Sequence, residues 1–307
     1  VIQALLERTK PVARGARVRP ARPVRPVPQG VAMVSSALTV VTLLLGCLLA
    51  EATVIGDVRH ARAQKLTYEQ LRTDLAKGEA PIGQMDANGE VTVPGRPVAV
   101  LTIPAINLRE VVFEGTTAGV LADGPGHRRD TAFPGQAGAA LIFGRQAMYG
   151  GVFSRIHDLR RGDEIKVATG QGSHAYKVSD VRHAGERVLP VAAGKARLVL
   201  ATAAGRPFLP EAVVYVDAVQ VSQVVPSPER AFGTAALADG EGLMKGDTGT
   251  LLPLLLWAQL LLLVVAAAAW IGTTWGRWQV WIVTVPVLTL PALQVAHYSL
   301  QLLPNLT

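Results

Sequence analysis

The chain has 307 residues, half of them hydrophobic and only 17% charged, with a mean hydropathy of +0.30, which excludes an ordinary soluble domain. The net charge of +7 does not mark a nucleic-acid binder, because most of it is confined to residues 1–30, where Arg8, Lys10, Arg14, Arg17, Arg19, Arg22 and Arg25 face Glu7 alone. One cysteine, Cys47, excludes an internal disulfide.

Residues 1–30 read as a basic, proline-rich cytoplasmic tail, extended rather than helical because Pro11, Pro20, Pro23, Pro26 and Pro28 interrupt it. Its expected contact is anionic lipid, not nucleic acid. Residues 31–55 follow as an apolar run long enough to cross a hydrocarbon core of about 30 Å. Basic residues flanking a first span stay on the cytoplasmic side, which places the next segment outside. The string "LLGC" ending at Cys47 is similar to a lipoprotein processing site, yet apolar residues continue past it, so an uncleaved anchor is expected.

Residues 56–97 read as an external helical stalk and linker. Asp57 is placed to cap a helix, Tyr68, Leu71 and Leu75 share a face, Gly78 stops it, and a Gly, Pro and Asp-rich stretch leads on. Between 98 and 221 the texture is that of short strands ("VAVLTI", "REVVFEG", "AALIF", "EIKVAT", "AYKVSDVR", "RLVLATA", "AVVYVDAVQV") separated by Gly, Pro and Asp turns. That pattern predicts a compact, mainly β barrel or sandwich. Residues 222–249 read as a flexible return to the membrane, 250–272 as a second span, 273–279 as a short cytoplasmic turn and 280–303 as a third span, with 304–307 external. Trp270, Trp275, Trp278 and Trp281 around the turn fit a membrane interface.

Within the β region a set of short motifs occurs in order: "LTIPAINL" at 101–108, "VFEGTT" at 112–117, "GPGHRRDTAFPGQAGAALIFGR" at 124–145, "LRRGDEIKV" at 159–167 and "RLVLATA" at 197–203. In this order they resemble the sortase family, cysteine transpeptidases of the Gram-positive cell surface, and in particular its class E-like actinobacterial members. An excess of arginine over lysine, 23 to 7, points weakly the same way. The resemblance implies a sortase-like closed barrel of about eight strands, here joined to three transmembrane helices. It also implies a cysteine nucleophile, a histidine for proton transfer and an arginine that steadies the oxyanion.

All three positions are altered in this chain. Where the resemblance places histidine, after Gly144, stands Arg145; where it places cysteine stands Ala203; and where it places arginine, at the start of the last strand, stands Glu211 or Ala212, with Arg206 nearby but out of register. Cys47 lies in a membrane run and cannot serve an external cleft. Thr202 is the best remaining hydroxyl, but side chains alternate along a strand, so it should point away from Ala203.

Arg145, Thr202, Arg206 and His127 are therefore candidates for binding rather than for chemistry. Arg145 is either a fixed cation for a ligand carboxylate, since a guanidinium does not titrate and bonds in bidentate fashion, or a plug paired with an Asp or Glu of its own chain. His127 reads foremost as a loop histidine pinning a turn. His157, His174 and His183 lack metal-ligand spacing, so no metal and no cofactor is expected. Asp163 and Glu164 fit a turn before a strand. His297, polar within the third span, calls for a partner helix or an interface position.

Together these features predict a membrane-anchored, catalytically silent sortase-like protein of the bacterial plasma membrane. Other membrane or envelope proteins are its expected partners in a secretion, transport or surface-assembly complex, with a peptide or loop in the degenerate cleft. Two alternatives stand beside it: an active transpeptidase or hydrolase with unconventional residues, and a scaffold that works through the basic tail alone.

Overall fold

The computed structural model describes residues 29–85, 89–188, 190–228, 230, 232–271 and 277–307. The chain divides into two compact units, residues 1–41 and 42–307, and the features below belong to the second unless a helix begins earlier. The basic tail and Trp275 lie outside the described residues, as do the side chains of Trp278 and Trp281. Trp270 is exposed, at 72%.

Helix α1 (Gln29–Ala50) leads through a π-helical turn (Glu51–Ile55) into α2 (Gly56–Lys77). The membrane run and the stalk are thus one helical column with a local widening, a feature that tends to occur at functional positions. Gly78 closes α2 in the left-handed conformation at φ 74°, which glycine adopts without a Cβ penalty. Near the other end, α4 (Leu251–Ile271) and α5 (Arg277–Gln301) pack together. Among the described residues three helices are long and apolar enough to cross a membrane, within 38–77, 248–271 and 282–301. Cys47 is buried among Leu261, Ala292 and Ala296, where these helices meet.

The domain between them is a closed barrel of eight strands: β1 (Pro97–Ile103), β2 (Leu108–Glu114), β3 (Gly126–His127), β4 (Gly138–Phe143), β5 (Glu164–Thr169), β6 (Gly172–His183), β7 (Ala196–Arg206) and β8 (Leu209–Gln220). A short helix, α3 (Ala118–Asp123), sits between β2 and β3, with Thr117 as its N-cap. Around the barrel the order is β1-β2-β3-β4-β7-β8-β6-β5, closed by the β1–β5 pair, so no edge strand is left open. Burial alternates along β5 as a two-residue period requires, and Val98, Leu101, Ile142, Tyr176, Leu198 and Val216 are among the side chains that fill the interior. β3 escapes a sequence reading because it is two residues long.

One pairing matters most for the site. β4 and β7 run parallel, with Phe143 opposite Ala201. Parallel partners end on the same rim, so the residues just beyond Phe143 and Ala201 emerge together. These are Gly144 and Arg145 on one strand, Thr202 and Ala203 on the other.

After β8, residues 222–249, expected as a flexible return, carry three 3-10 turns. Glu241 within them is buried and forms an ion pair with Arg129 at 2.8 Å. The chain beyond α5 returns to the barrel rim.

Candidate binding cleft

The end of β4 is shaped by glycine. A Cβ on Gly144 would sit 2.5 Å from the Phe153 ring, so only glycine lets that core phenylalanine seat beside the strand end. Phe153 N–H donates to Arg145 O at 2.9 Å. The loop then tightens through Tyr149, Gly150 and Gly151, all at positive φ. For Tyr149, a bulky non-glycine residue at φ 52°, this conformation is costly and has to be held by neighbours.

Arg145 itself is only 1% exposed. Its Nη2 donates to Ala118 O at 2.8 Å and its Nη1 to Thr307 O at 3.3 Å, while the guanidinium lies over the Tyr149 ring, 5.0 Å from the centroid. Nε has no hydrogen-bond partner among the described residues. The expectation of an Asp or Glu plug is therefore corrected: Ala118 O, Thr307 O and an aromatic face hold this cation, rather than an Asp or Glu side chain. Burial pushes the Arg145 pKa down to about 10, with Tyr149 opposing it, so the side chain remains charged at neutral pH. Burial likewise pushes the Tyr149 hydroxyl up to about 12.

Ala203 lies 2% exposed in an apolar floor with Leu121, Phe143, Ala201 and Val213. Over that floor sits Leu306, fully buried in the same cluster. The segment 304–307 is seated as a turn, with Thr307 N–H donating to Pro304 O at 3.1 Å, and is held from outside: Gln146 N–H donates to Leu306 O at 2.9 Å, Asn305 N–H donates to Lys245 O at 2.9 Å, and Asn305 Nδ2 donates to Thr116 O and Gly242 O. The cleft formed by the β4 and β7 ends thus already holds a peptide segment, supplied by the chain itself. Sequence reading missed this occupant.

The other candidates separate from Arg145. Thr202, 2% exposed, donates its hydroxyl to Gly144 O at 2.8 Å, tying the two parallel strands together. Arg206 is exposed at the β7–β8 hairpin and Glu211 is exposed near the start of β8. Gln146 Nε2 reaches the same hairpin at Gly205 O, 3.0 Å away.

His127 is no exposed loop residue: it lies in β3, 1% exposed, with Nδ1 donating to Glu114 Oε2 and Nε2 to Ala132 O, each at 3.0 Å. Burial alone would lower its pKa. Glu114 and the Ala132 carbonyl outweigh that and raise it, favouring the imidazolium that both hydrogen bonds call for. His127 lines a separate cavity of about 410 Å³ with Phe133, Gln136 and Pro228 rather than the Arg145 cleft.

The remaining histidines are distributed without a common centre. His174 is buried beside Thr169 Oγ1 at 3.2 Å and packs against Gly135, while His157 and His183 are exposed. Among the described residues no group of three or more His, Cys, Asp or Glu side chains is arranged to hold a metal ion. Asp163 accepts from Arg160 N–H at 2.8 Å, as a turn residue does.

His297 meets a cluster at the π-helical turn. Its Nδ1 lies 2.9 Å from Glu51 Oε1, Gln301 Nε2 lies 2.9 Å from its Nε2, and Arg59 Nη2 lies 3.3 Å from the same Glu51 oxygen. Tyr149 Oη is 3.4 Å from His297 Nδ1, so the ring that stacks on Arg145 also touches this cluster.

Comparison with known proteins agrees with this barrel. Residues 101–213 match the family model described as "Sortase: Sortase domain". Sortase D of Bacillus subtilis is 31% identical over 84 residues, 27% of this chain and 41% of that protein, so the match spans less than half of the relative. Similar solved structures include the sortase D5 transpeptidase of Clostridium perfringens (TM-score 0.45, 24% identity, covering 52% of this chain and 99% of that one). Sortase E of Streptomyces avermitilis is another (TM-score 0.36, 27% identity, covering 43% and 91%).

Proposed function

From a barrel that carries a sortase domain, we propose a membrane-anchored sortase-like subunit of the class E-like, actinobacterial kind, one that binds rather than cuts. The observation that carries this reading is that Arg145 and Ala203 each stand two residues beyond the last β4–β7 pair, Phe143 and Ala201. Cysteine chemistry requires a thiolate to hold the acyl group and a base or acid to move the proton. Alanine supplies no nucleophile and a guanidinium supplies no titrating group near neutral pH.

What the cleft retains is the capacity to hold a peptide segment, as it holds the turn at residues 304–307 through backbone and side-chain hydrogen bonds. A buried guanidinium held by Ala118 O and Thr307 O, with its Nε unused among the described residues, favours a ligand bearing a carboxylate, which accepts two parallel N–H bonds and offsets the charge. The partner is an envelope or membrane protein that presents an acidic segment. The basic tail keeps the N-terminus at the cytoplasmic leaflet, against anionic lipid, and the barrel acts on the outer side, as the charge distribution favours.

The test is retention of the partner from native membranes in mild detergent. The parent chain retains a stoichiometric envelope protein, Arg145→Met loses it, and an exposed control, Arg161→Met, keeps it. Recovery of the parent as bare monomer overturns the proposal.

A further inference from the structure

The occupant of the cleft is covalently continuous with a membrane helix. α5 ends at Gln301, and residues 302–307 run from that end to the barrel rim. They are fastened at both ends, while Leu303 between them is 42% exposed. Asp247 N–H donates to Gln301 O at 2.9 Å, a Cβ on Gly246 would meet Leu302 O at 2.2 Å, and Asn305, Leu306 and Thr307 are each no more than 2% exposed.

The other end of this strap is fixed by the charged cluster beneath it. His297 stands one helical turn before Gln301, bonded to it, and grips Glu51 and Arg59 of the first helical column. Tyr149 connects the same imidazole to the Arg145 guanidinium on which Thr307 O rests. A helix transmits displacement along its axis, so α5 cannot shift against the first column without breaking the His297–Glu51 contact and drawing on the strap.

Two features make that contact a breakable one. Glu51 is fully buried in the π-helical turn, yet its Oε2 has no hydrogen-bond partner among the described residues, so the network is only partly satisfied. Below it, Pro286 and Pro291 interrupt the hydrogen bonding of α5.

The geometry points to a latched strap: Leu302–Thr307 is a resident occupant that blocks the Arg145 cleft, and the Glu51–Arg59–His297 cluster is the latch that holds it there. A partner that packs on the membrane helices and moves α5 opens the cleft to the partner's peptide. This rests on the reading of the cleft as a binding site. The buried network thereby acquires a role beyond anchoring, by making cleft access depend on the arrangement of the spans.

Access to position 203 reports the strap directly and needs no partner. In a Cys47→Ser background, the full chain in detergent carries Ala203→Cys, or Ser154→Cys at an exposed loop position, and is treated with a small maleimide. Labelling of Ala203→Cys is expected at least about tenfold slower than that of Ser154→Cys, and Leu306→Asp is expected to recover about that factor. His297→Ala is expected to accelerate it severalfold with the Ser154→Cys rate unchanged. Glu51→Gln serves as a second latch variant, and circular dichroism with gel filtration confirms that each variant folds.

Fast labelling of Ala203→Cys in the parent removes the strap. Acceleration by Leu306→Asp but by neither latch variant removes the latch. Loss of either leaves the binding role to be judged separately by the partner-retention experiment, and a failed retention experiment leaves the labelling pattern intact.

Discussion

Two cationic side chains on neighbouring elements of the barrel, His127 and Arg145, are buried to the same degree, 1% exposed each, and are treated in opposite ways. His127 has a carboxylate at 3.0 Å, a carbonyl at 3.0 Å and an edge-on aromatic ring, Phe133, with centroids 5.5 Å apart. Arg145 has Ala118 O, Thr307 O, an aromatic face and an idle Nε, with no Asp or Glu side chain bonded to it among the described residues. A compensated buried charge stabilises a fold only when its partner is present, whereas an uncompensated one is a standing cost. The first is the mark of scaffolding. The second fits a site kept for something that is absent from the free chain.

The largest expected effect breaks the compensated side. Glu114→Gln strands the imidazolium and is expected to cost about 3 kcal/mol in denaturant unfolding of the full chain in detergent. Its pH profile sharpens the point. Because the folded pKa of His127 is raised, its stabilisation is fully present below the ordinary histidine value and is lost as pH rises through the folded value. The parent should weaken across that upper window while Glu114→Gln does not.

Next comes Gly144→Ala, which drives a methyl group into the Phe153 ring and is expected to cost about 2 kcal/mol by overpacking. Arg145→Met removes a buried charge that no Asp or Glu side chain offsets among the described residues and keeps most of the volume, so stability should change by no more than about 1 kcal/mol, or rise. A loss comparable to that of Glu114→Gln would erase the distinction between the two cations. Smallest is Arg206→Ala at the exposed hairpin, expected within about 0.5 kcal/mol of the parent by the same unfolding measurement.

The parts of this architecture that depend on local pattern were legible in the chain. β-branched runs alternating in burial located every strand except β3, and the glycine after Lys77 located the end of α2. The altered positions Arg145 and Ala203 were legible as residue identities. Their surroundings were not, because Ala118 O and Thr307 O are backbone atoms and carry no side-chain signature. The strap was hidden for the same reason: Leu306 meets Ala203 across a hundred residues of chain, and a lone leucine between Asn305 and Thr307 carries no signal of that contact. His297 announced itself by polarity, but its partner Glu51 sits within an apolar run whose π-helical widening no periodicity reveals.

The most direct test of a binding, non-cutting cleft is peptide cleavage. The purified full-length chain is incubated with a Leu-Pro-type sorting peptide and an amine acceptor, beside a Thr202→Val variant. No hydrolysis or transfer product above the peptide-only control is predicted for either protein. Product formed by the parent and abolished by Thr202→Val would contradict it and establish an enzyme that works without the family's cysteine.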